Sequence, residues 1–205
     1  MKQTNFSLLK KFDTMKVWMI EDTKRAMIDA KANFLVAQGL FAYTEIIGSF
    51  ITGYGKENSG NNFDTFFERL GPKYNILLKK HNKRRLGQSS HIVYDDLRCG
   101  LLHEYTIKRK GFIIYNTNRI LDDDEIRNTK VRWFDNGELL ETSGVMYVKD
   151  SRNKGYWLIV DPIYWLDFKN AVDEYWRQIC NEKNVELRRN FFKRARDINF
   201  KNFDV

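Results

Sequence analysis

Arg98, His103 and Tyr105 lie close together near the middle of the 205-residue chain. A histidine titrates near neutral pH and is suited to taking or giving a proton during a reaction. An arginine holds a phosphate through forked, charge-assisted hydrogen bonds and stabilises negative charge as it develops. Residues of these types could carry out proton transfer beside a bound phosphate group.

The segment that carries these residues has the periodicity of a helix. Tyr94, Leu97 and Leu101 recur at i, i+3 and i+7, so one face of the helix is apolar and should point into a core. On an ideal α-helix, Arg98 and His103 lie about 140° apart around the axis. One helix therefore does not bring the two side chains together, and a composite site requires a partner chain.

The Arg-x4-His spacing followed by x-Tyr resembles the signature of the HEPN superfamily, which comprises small α-helical domains found among prokaryotic toxin and defence ribonucleases. The matching positions are Arg98, His103 and Tyr105. The resemblance implies a helical bundle that acts as a homodimer, in which the motifs of two chains meet and cut RNA without a metal. One position departs from the pattern, because Cys99 stands where the family commonly has Asn, Asp or His.

The resemblance also implies a role for each motif residue. His103 would take the proton from an RNA 2′-hydroxyl, Arg98 would hold the scissile phosphate, and Tyr105 would orient the phosphate or a base. The RNA itself would make the attack. In some toxin members the matching tyrosine is modified by a nucleotidyltransferase antitoxin, so an antitoxin is a candidate partner.

Three other interpretations stay open. In a structural one, Arg98 pairs with Asp95 or another acid, His103 caps the helix end, and Tyr105 packs where the chain turns into a sheet. In the second, the protein is a non-catalytic module that binds nucleic acid or protein, which Cys99 favours and the intact Arg, His and Tyr set disfavours. In the third, the C-terminal helix attaches the chain to a membrane surface.

Basic residues form two groups that could hold an RNA backbone, and the net charge of +8 favours such an anionic partner. The first group precedes the motif and comprises Lys79, Lys80, Lys83, Arg84 and Arg85. The second lies on an amphipathic C-terminal segment and comprises Arg188, Arg189, Lys193 and Arg194. A charge run such as the first group is more often a solvated loop, and the second segment could bind RNA, a partner or only its own core. His81 and His91 have no companion acid at recognisable spacing, and we interpret them as ordinary polar residues.

The composition predicts a single globular domain, residues 1–205, in the cytoplasm. Hydrophobic residues make up 42% of the chain and there are only two prolines, which argues against disorder and rigid linkers. Two cysteines are too few for a disulfide scaffold, and the first residues lack the apolar core of a signal peptide. The apolar stretch Phe34 to Gly53 contains Gln38 and Glu45, so we interpret it as part of a soluble helix without membrane contact.

No cofactor and no metal are expected. The sequence contains no Gly-rich phosphate loop, nucleophile elbow, dinucleotide fingerprint or His-Glu-x-x-His motif. The acidic turn Asp122 to Glu125 lacks the alternating spacing of a calcium loop. These absences disfavour the common nucleotide-binding, hydrolase and zinc enzymes.

The expected fold class is mainly α (α+β). Residues 1–110 should form a HEPN-like helical core that begins with one long helix from Asp13 or Thr14 to Thr52, bent at Gly39. A loop over 54–62 and helices over 63–70 and from Pro72 follow. Residues 111–160 should form a small antiparallel sheet with an Asn136-Gly137 hairpin turn and strands over 111–115, 130–134, 138–141, 145–149 and 156–160. Residues 161–205 should be helical, with Asp161 and Pro162 at the start. Trp165 and Trp176, together with Trp157 of the last strand, should lie in the core.

Overall fold

The computed structural model describes residues 4–30, 32–82, 84–85, 88–89, 91–101, 111–114, 122–132, 139–141 and 143–198. For residues 84–85, 88–89, 112–114, 132 and 139–141 the structure describes the backbone alone. The chain is mainly helical with a small sheet, as the periodicity predicts. His103 and Tyr105 lie outside the described residues, as do the predicted Asn136-Gly137 turn and the end of the C-terminal segment.

The N-terminal part confirms a long helix but corrects its limits. Helix α1 spans Asn5–Ile28 and is capped by Thr4, whose Oγ1 accepts a hydrogen bond from the Ser7 N–H at 3.2 Å. Helix α2 spans Asn33–Thr52 and ends at Gly53, which has a left-handed φ of 74°. The predicted single helix from Asp13 or Thr14 is therefore wrong, because the chain breaks after α1 and not at Gly39.

Helix α2 forms the centre of the molecule and contacts α1, α3 and the two C-terminal helices. Helix α3, Ser59–Phe67, lies so close to it that a Cβ on Gly48 would stand 1.7 Å from the Asn62 carbonyl oxygen. A glycine is therefore required where the two helices cross. The predicted loop over 54–62 is corrected as well, because a 3₁₀ turn at Lys56–Asn58 leads directly into α3.

Three further helices lie between α3 and strand β4, Lys130–Arg132. A 3₁₀ turn, Glu68–Leu70, links α3 to α4, Pro72–His81, which has its proline in the first turn as predicted. Helix α5, Ile92–Tyr94, continues into a π-helical segment, Asp95–Cys99, and into Gly100 and Leu101. We call residues 92–101 the motif helix. Helix α6, Asp123–Arg127, replaces the predicted acidic turn, because Asp122 and Glu125 form a capping box at its start.

The main sheet has three strands in the order β3-β7-β6. Strands β6, Val145–Lys149, and β7, Gly155–Val160, pair antiparallel as predicted. Strand β3, Gly111–Ile114, instead runs parallel to β7, with Gly111 opposite Trp157 and Ile114 opposite Val160. The sheet is therefore mixed. Two-stranded antiparallel pairs form between β1, Arg84–Arg85, and β2, Gln88–Ser89, and between β4, Lys130–Arg132, and β5, Leu139–Glu141.

The C-terminal part consists of α7, Asp161–Cys180, and α8, Val185–Asp197. Asp161 is the first residue of α7 and not its N-cap, which is Val160. Helix α8 buries Phe191 and Phe192, and Phe191 contacts Phe12 and Phe50 at centroid distances of 5.3 and 5.5 Å. The predicted core position of the tryptophans is confirmed by Trp157 and Trp165, which are buried, and by Trp176, which stacks on Phe12.

Helix α2 is also the segment of the described chain that is long and apolar enough to span a membrane. It is 56% buried over that window, and it packs on its neighbours through Val36, Leu40, Phe41, Ile47 and Phe50. The core helix of a soluble protein has the same length and composition. The burial of α2 is therefore consistent with the predicted soluble protein.

Candidate functional site around the motif helix

The motif helix places its apolar face in the core as the sequence predicts. Leu97 and Leu101 are buried, Tyr94 is half-buried, and Val93 joins them. The π-helical segment contains Arg98 and Cys99, and such segments occur frequently at functional sites. Because a π-turn holds more residues than an α-turn, the angle of about 140° derived for an ideal α-helix does not describe this helix.

Arg98 forms an ion pair with Glu45 of helix α2. Its Nε lies 2.9 Å from Glu45 Oε2, and the two side chains are only 16% and 17% exposed. The Nε–H bond is not aligned with this oxygen, so the contact is electrostatic and not a hydrogen bond. In the described part of the chain, the terminal nitrogens Nη1 and Nη2 have no ion-pair or hydrogen-bond partner. Glu45 therefore orients the guanidinium and leaves its outer fork open.

Asp96 anchors the motif helix to the sheet. Its side chain is 5% exposed, and its Oδ2 accepts a hydrogen bond from the Trp157 indole Nε1–H at 3.0 Å. Trp157 is fully buried on β7. A buried carboxylate that lost this donor would be less well compensated for its desolvation, so the bond helps to fix where the π-helical segment lies.

Tyr94 lies between Arg98 and the start of the motif helix. Burial, hydrogen bonding to Cys99 and the negative charge of Glu45 raise the pKa of Tyr94 to about 12, while a hydrogen bond with Ser59 of α3 lowers it. The phenol is therefore neutral at physiological pH. Cys99, which departs from the HEPN pattern, contributes here as a partner of Tyr94.

His91 forms a dyad with Asp64 of helix α3. His91 Nδ1 lies 2.5 Å from Asp64 Oδ2, and the same oxygen accepts a hydrogen bond from the Asn82 amide at 2.7 Å. The Asn82 side-chain oxygen in turn accepts the Val93 N–H at 3.1 Å. Burial raises the pKa of Asp64, and the hydrogen bond and charge of His91 oppose that shift. The side chain of His91 is thus held at the start of the motif helix.

These contacts place five polar side chains on the side of the motif helix that faces α2 and α3. We call this set the polar row, and it comprises Glu45, Asp64, His91, Tyr94 and Arg98. Ser59, which bonds Tyr94, precedes Gly60, and Gly60 lies close to the His91 ring. A Cβ on Gly60 would stand 2.5 Å from His91 Cδ2.

The first basic group is only partly described. Lys79 and Lys80 are exposed in the last turn of α4, directly before Asn82. The side chains of Lys83, Arg84 and Arg85 lie outside the described residues, although Arg84 and Arg85 form β1. Two exposed lysines therefore stand beside the residue that holds Asp64.

The second basic group divides into bound and exposed members. Arg188 donates from Nη1 to the Ile179 carbonyl at 2.7 Å, and Arg194 donates from Nε to Ser49 Oγ at 3.2 Å. Lys193 is exposed and lies 4.3 Å from the Tyr54 ring centroid, and Arg189 is exposed with Glu186 at 3.9 Å. Arg188 and Arg194 stabilise the fold through these contacts, whereas Arg189 and Lys193 are accessible to a partner.

Metal-binding side chains do not converge in the described residues, where no group of three His, Cys, Asp or Glu could hold an ion. In the acidic segment, Asp122 and Glu125 bond each other's backbone N–H groups. Asp123 pairs with Lys169 at 3.1 Å. The carboxylates of this segment are thus engaged in stabilising α6 and its contact with α7.

Comparison of the chain with protein-family models, with curated proteins and with solved structures gives no match. The HEPN resemblance is carried by Arg98, His103 and Tyr105. Of these three residues, the structure describes Arg98.

The structural interpretation, in which Arg98 pairs with an acid, is confirmed by Glu45, although Asp95 is not that acid. The other partners of the motif helix were not predicted. Glu45 gave a signal, since it is the single charge in an apolar stretch, and a buried charge is usually paired. Asp64 and His91 are 27 residues apart and Asp96 and Trp157 are 61 apart, so no spacing rule links them. The interpretation of His91 as an ordinary polar residue did not anticipate its bond to a largely buried carboxylate.

Proposed function

We propose that the protein is a HEPN-like endoribonuclease that cuts RNA without a metal. The observation that carries this proposal is the geometry of Arg98. Glu45 holds its Nε side, and Nη1 and Nη2 have no partner in the described part of the chain. A guanidinium held in this way is ready to bind two oxygens of a phosphate and to stabilise negative charge that develops there.

In the proposed reaction the RNA supplies its own nucleophile. His103 takes the proton of a 2′-hydroxyl, whose oxygen then attacks the neighbouring phosphorus. Arg98 binds the non-bridging oxygens, and Tyr105 orients the phosphate or a base. Lys79 and Lys80 are exposed next to the motif helix and attract the RNA backbone.

The active form in this proposal is a cytoplasmic homodimer. Motifs of two chains would meet to complete the site, with an antitoxin as a candidate partner. Cys99 and Cys180 are free thiols, which suits a reducing compartment.

The test is cleavage of labelled structured and unstructured RNA, in the presence of a chelator, by the wild type and by His103→Ala and Arg98→Ala. We expect cleavage by the wild type and a loss of at least about 100-fold in each variant. Arg177→Ala is the matched control, since Arg177 is an exposed arginine paired with Glu174. Sedimentation should show a dimer in every case, and a stable wild-type monomer would count against the proposal.

A second candidate function is a non-catalytic module that binds RNA or protein. It is favoured by the low exposure of Arg98 and by the place of Cys99 beside Tyr94, because both residues then have structural contacts. In that case RNA binding survives in His103→Ala, and neither the variant nor the wild type cuts. Affinity measured beside cleavage therefore separates the two functions.

A further inference from the structure

The His91–Asp64 dyad has the form of a proton-transfer site. A carboxylate that binds one imidazole nitrogen fixes the ring orientation and stabilises its positive charge. Here Asp64 Oδ2 binds Nδ1, and the two side chains are 16% and 27% exposed for Asp64 and His91 respectively. The carboxylate is thus mostly shielded from water, while part of the imidazole remains accessible.

The other ring nitrogen of His91 is open. In the described part of the chain, Nε2 has no hydrogen-bond or ion-pair partner and is not enclosed by the protein. Asn82 fixes the carboxylate from α4, and Gly60 leaves room for the ring against α3. Helix α3 and the end of α4 therefore hold the dyad with Nε2 directed away from its carboxylate.

The surroundings of the dyad suit an anionic substrate. Lys79 and Lys80 are exposed in the turn that ends immediately before Asn82. Tyr94 and Arg98 continue the polar row from His91 along the same helix. A phosphate backbone that reaches Arg98 along this row would pass His91.

We propose that His91 is a second proton-transfer group of the RNA-cleavage site, with Asp64 as its positioning residue. This inference rests on the proposed function. The P–O2′ bond forms while the P–O5′ bond breaks, and the 2′-hydroxyl proton passes to His103. The proton on His91 Nε2 passes to O5′, so the products are a 2′,3′-cyclic phosphate and a 5′-hydroxyl, with no oxidation or reduction.

The decisive experiment uses two RNA substrates that differ at the leaving atom. One has the normal 5′-oxygen and the other has a bridging 5′-sulfur, which leaves as a thiolate without needing a proton. His91→Asn is the preferred variant, because an Asn side-chain amide can still donate to Asp64 but offers no donor at Nε2. His91→Ala and Asp64→Asn complete the set, with Asp173→Asn as the exposed carboxylate control.

We expect His91→Asn to lower kcat on normal RNA by about 100-fold or more, with little change in KM. On the sulfur substrate it should cut at nearly the wild-type rate, whereas His103→Ala should stay defective on both. Asp64→Asn should show the same pattern as His91→Asn with a smaller loss, and Asp173→Asn should behave as wild type.

Two results would overturn the assignment alone. One is cleavage of normal RNA by His91→Asn at the wild-type rate, and the other is an equal loss on both substrates, which marks a structural role. A wild type that binds RNA but cuts neither substrate would overturn the proposed function, and this inference with it. Melting curves and sedimentation of each variant show whether a loss reflects unfolding.

Discussion

Arg98 and Glu45 form an ion pair in which both side chains are more than four-fifths buried, with Nε and Oε2 2.9 Å apart. The pair joins the motif helix to the central helix α2. Removing one partner of a shielded pair leaves the other charge poorly solvated. The contact therefore concerns stability as well as the proposed binding of phosphate.

Glu45→Gln should lower the free energy of unfolding by about 1–3 kcal/mol, because Arg98 keeps its charge and loses its counter-ion. Urea denaturation measures the change. Glu174→Gln removes the partner of exposed Arg177 and should change stability by less than about 0.5 kcal/mol. Equal effects of the two variants would show that the Arg98 pair adds nothing to the fold.

Trp157→Phe should destabilise the protein by about 1–3 kcal/mol beyond the loss of packing volume. The substitution removes the indole N–H that Asp96 accepts at 3.0 Å and leaves that carboxylate buried. The double variant Asp96→Asn/Trp157→Phe should lose less than the sum of the single variants. A double-mutant cycle by urea denaturation tests this, and strict additivity would contradict the coupling.

Gly48→Ala should destabilise the protein by about 1–3 kcal/mol or more, because the added Cβ would stand 1.7 Å from the Asn62 carbonyl oxygen. Gly39 is the control on the same helix. A Cβ there has no atom within 4 Å, so Gly39→Ala should raise stability by about 0.5–1 kcal/mol through helix propensity. The melting temperatures of the two variants should move in opposite directions from that of the wild type. Shifts of the same sign would show that α2 and α3 do not make their close contact at Gly48.

Stability should fall as pH rises, because of Asp161. This residue is fully buried at the start of α7, and burial raises its pKa to about 8. Among the described residues, neither carboxyl oxygen has a hydrogen-bond partner. Between its unfolded pKa of about 3.9 and its folded pKa the native state binds more protons than the unfolded state. The free energy of unfolding therefore decreases with pH in that window, by up to about 1.4 kcal/mol per pH unit.

Asp161→Asn should remove this contribution, because an amide does not ionise. Denaturation midpoints measured from pH 5 to 9 should be flatter in the variant than in the wild type, and the variant should be the more stable protein at pH 9. A wild-type profile that matches the variant would show that Asp161 is ionised in the folded state with little penalty.

Lys79→Gln and Lys80→Gln should each weaken RNA binding and reduce the slope of log affinity against log salt by about 0.7–1. Both lysines are exposed in the last turn of α4, which precedes the Asp64 partner Asn82. Lys10→Gln, an exposed site on α1, is the control and should leave the slope unchanged. Titrations at several salt concentrations check the expectation, and an unchanged slope in the α4 variants would place the RNA elsewhere.

The helices could be predicted because their signals are local. The i, i+3, i+7 pattern of Tyr94, Leu97 and Leu101 identifies the motif helix, and Gly53 and Pro72 mark boundaries that the structure confirms. The break after α1 carries no glycine or proline, so the chain offered no strong signal there. Only the packing of α1 and α2 in one core requires a break between the two helices.

The polar row could not be predicted because its contacts are long-range. Nothing near His91 in the sequence indicates Asp64, and nothing near Asp96 indicates Trp157. The parallel pairing of β3 with β7 was missed for the same reason, since hairpin signals report only neighbouring strands. These relationships arise when α2, α3 and the sheet pack around the motif helix.

The bond between Asp96 and Trp157 also sets an order of events during synthesis. Translation reaches β7 only after Glu45, Asp64, His91 and Arg98 have left the ribosome. Trp157 is made 61 residues after its partner Asp96. A nascent chain therefore carries the polar row without the strand that anchors its π-helical segment. Under the proposed function, a ribosome-bound chain would lack a fixed cleavage site while it lies beside ribosomal and messenger RNA.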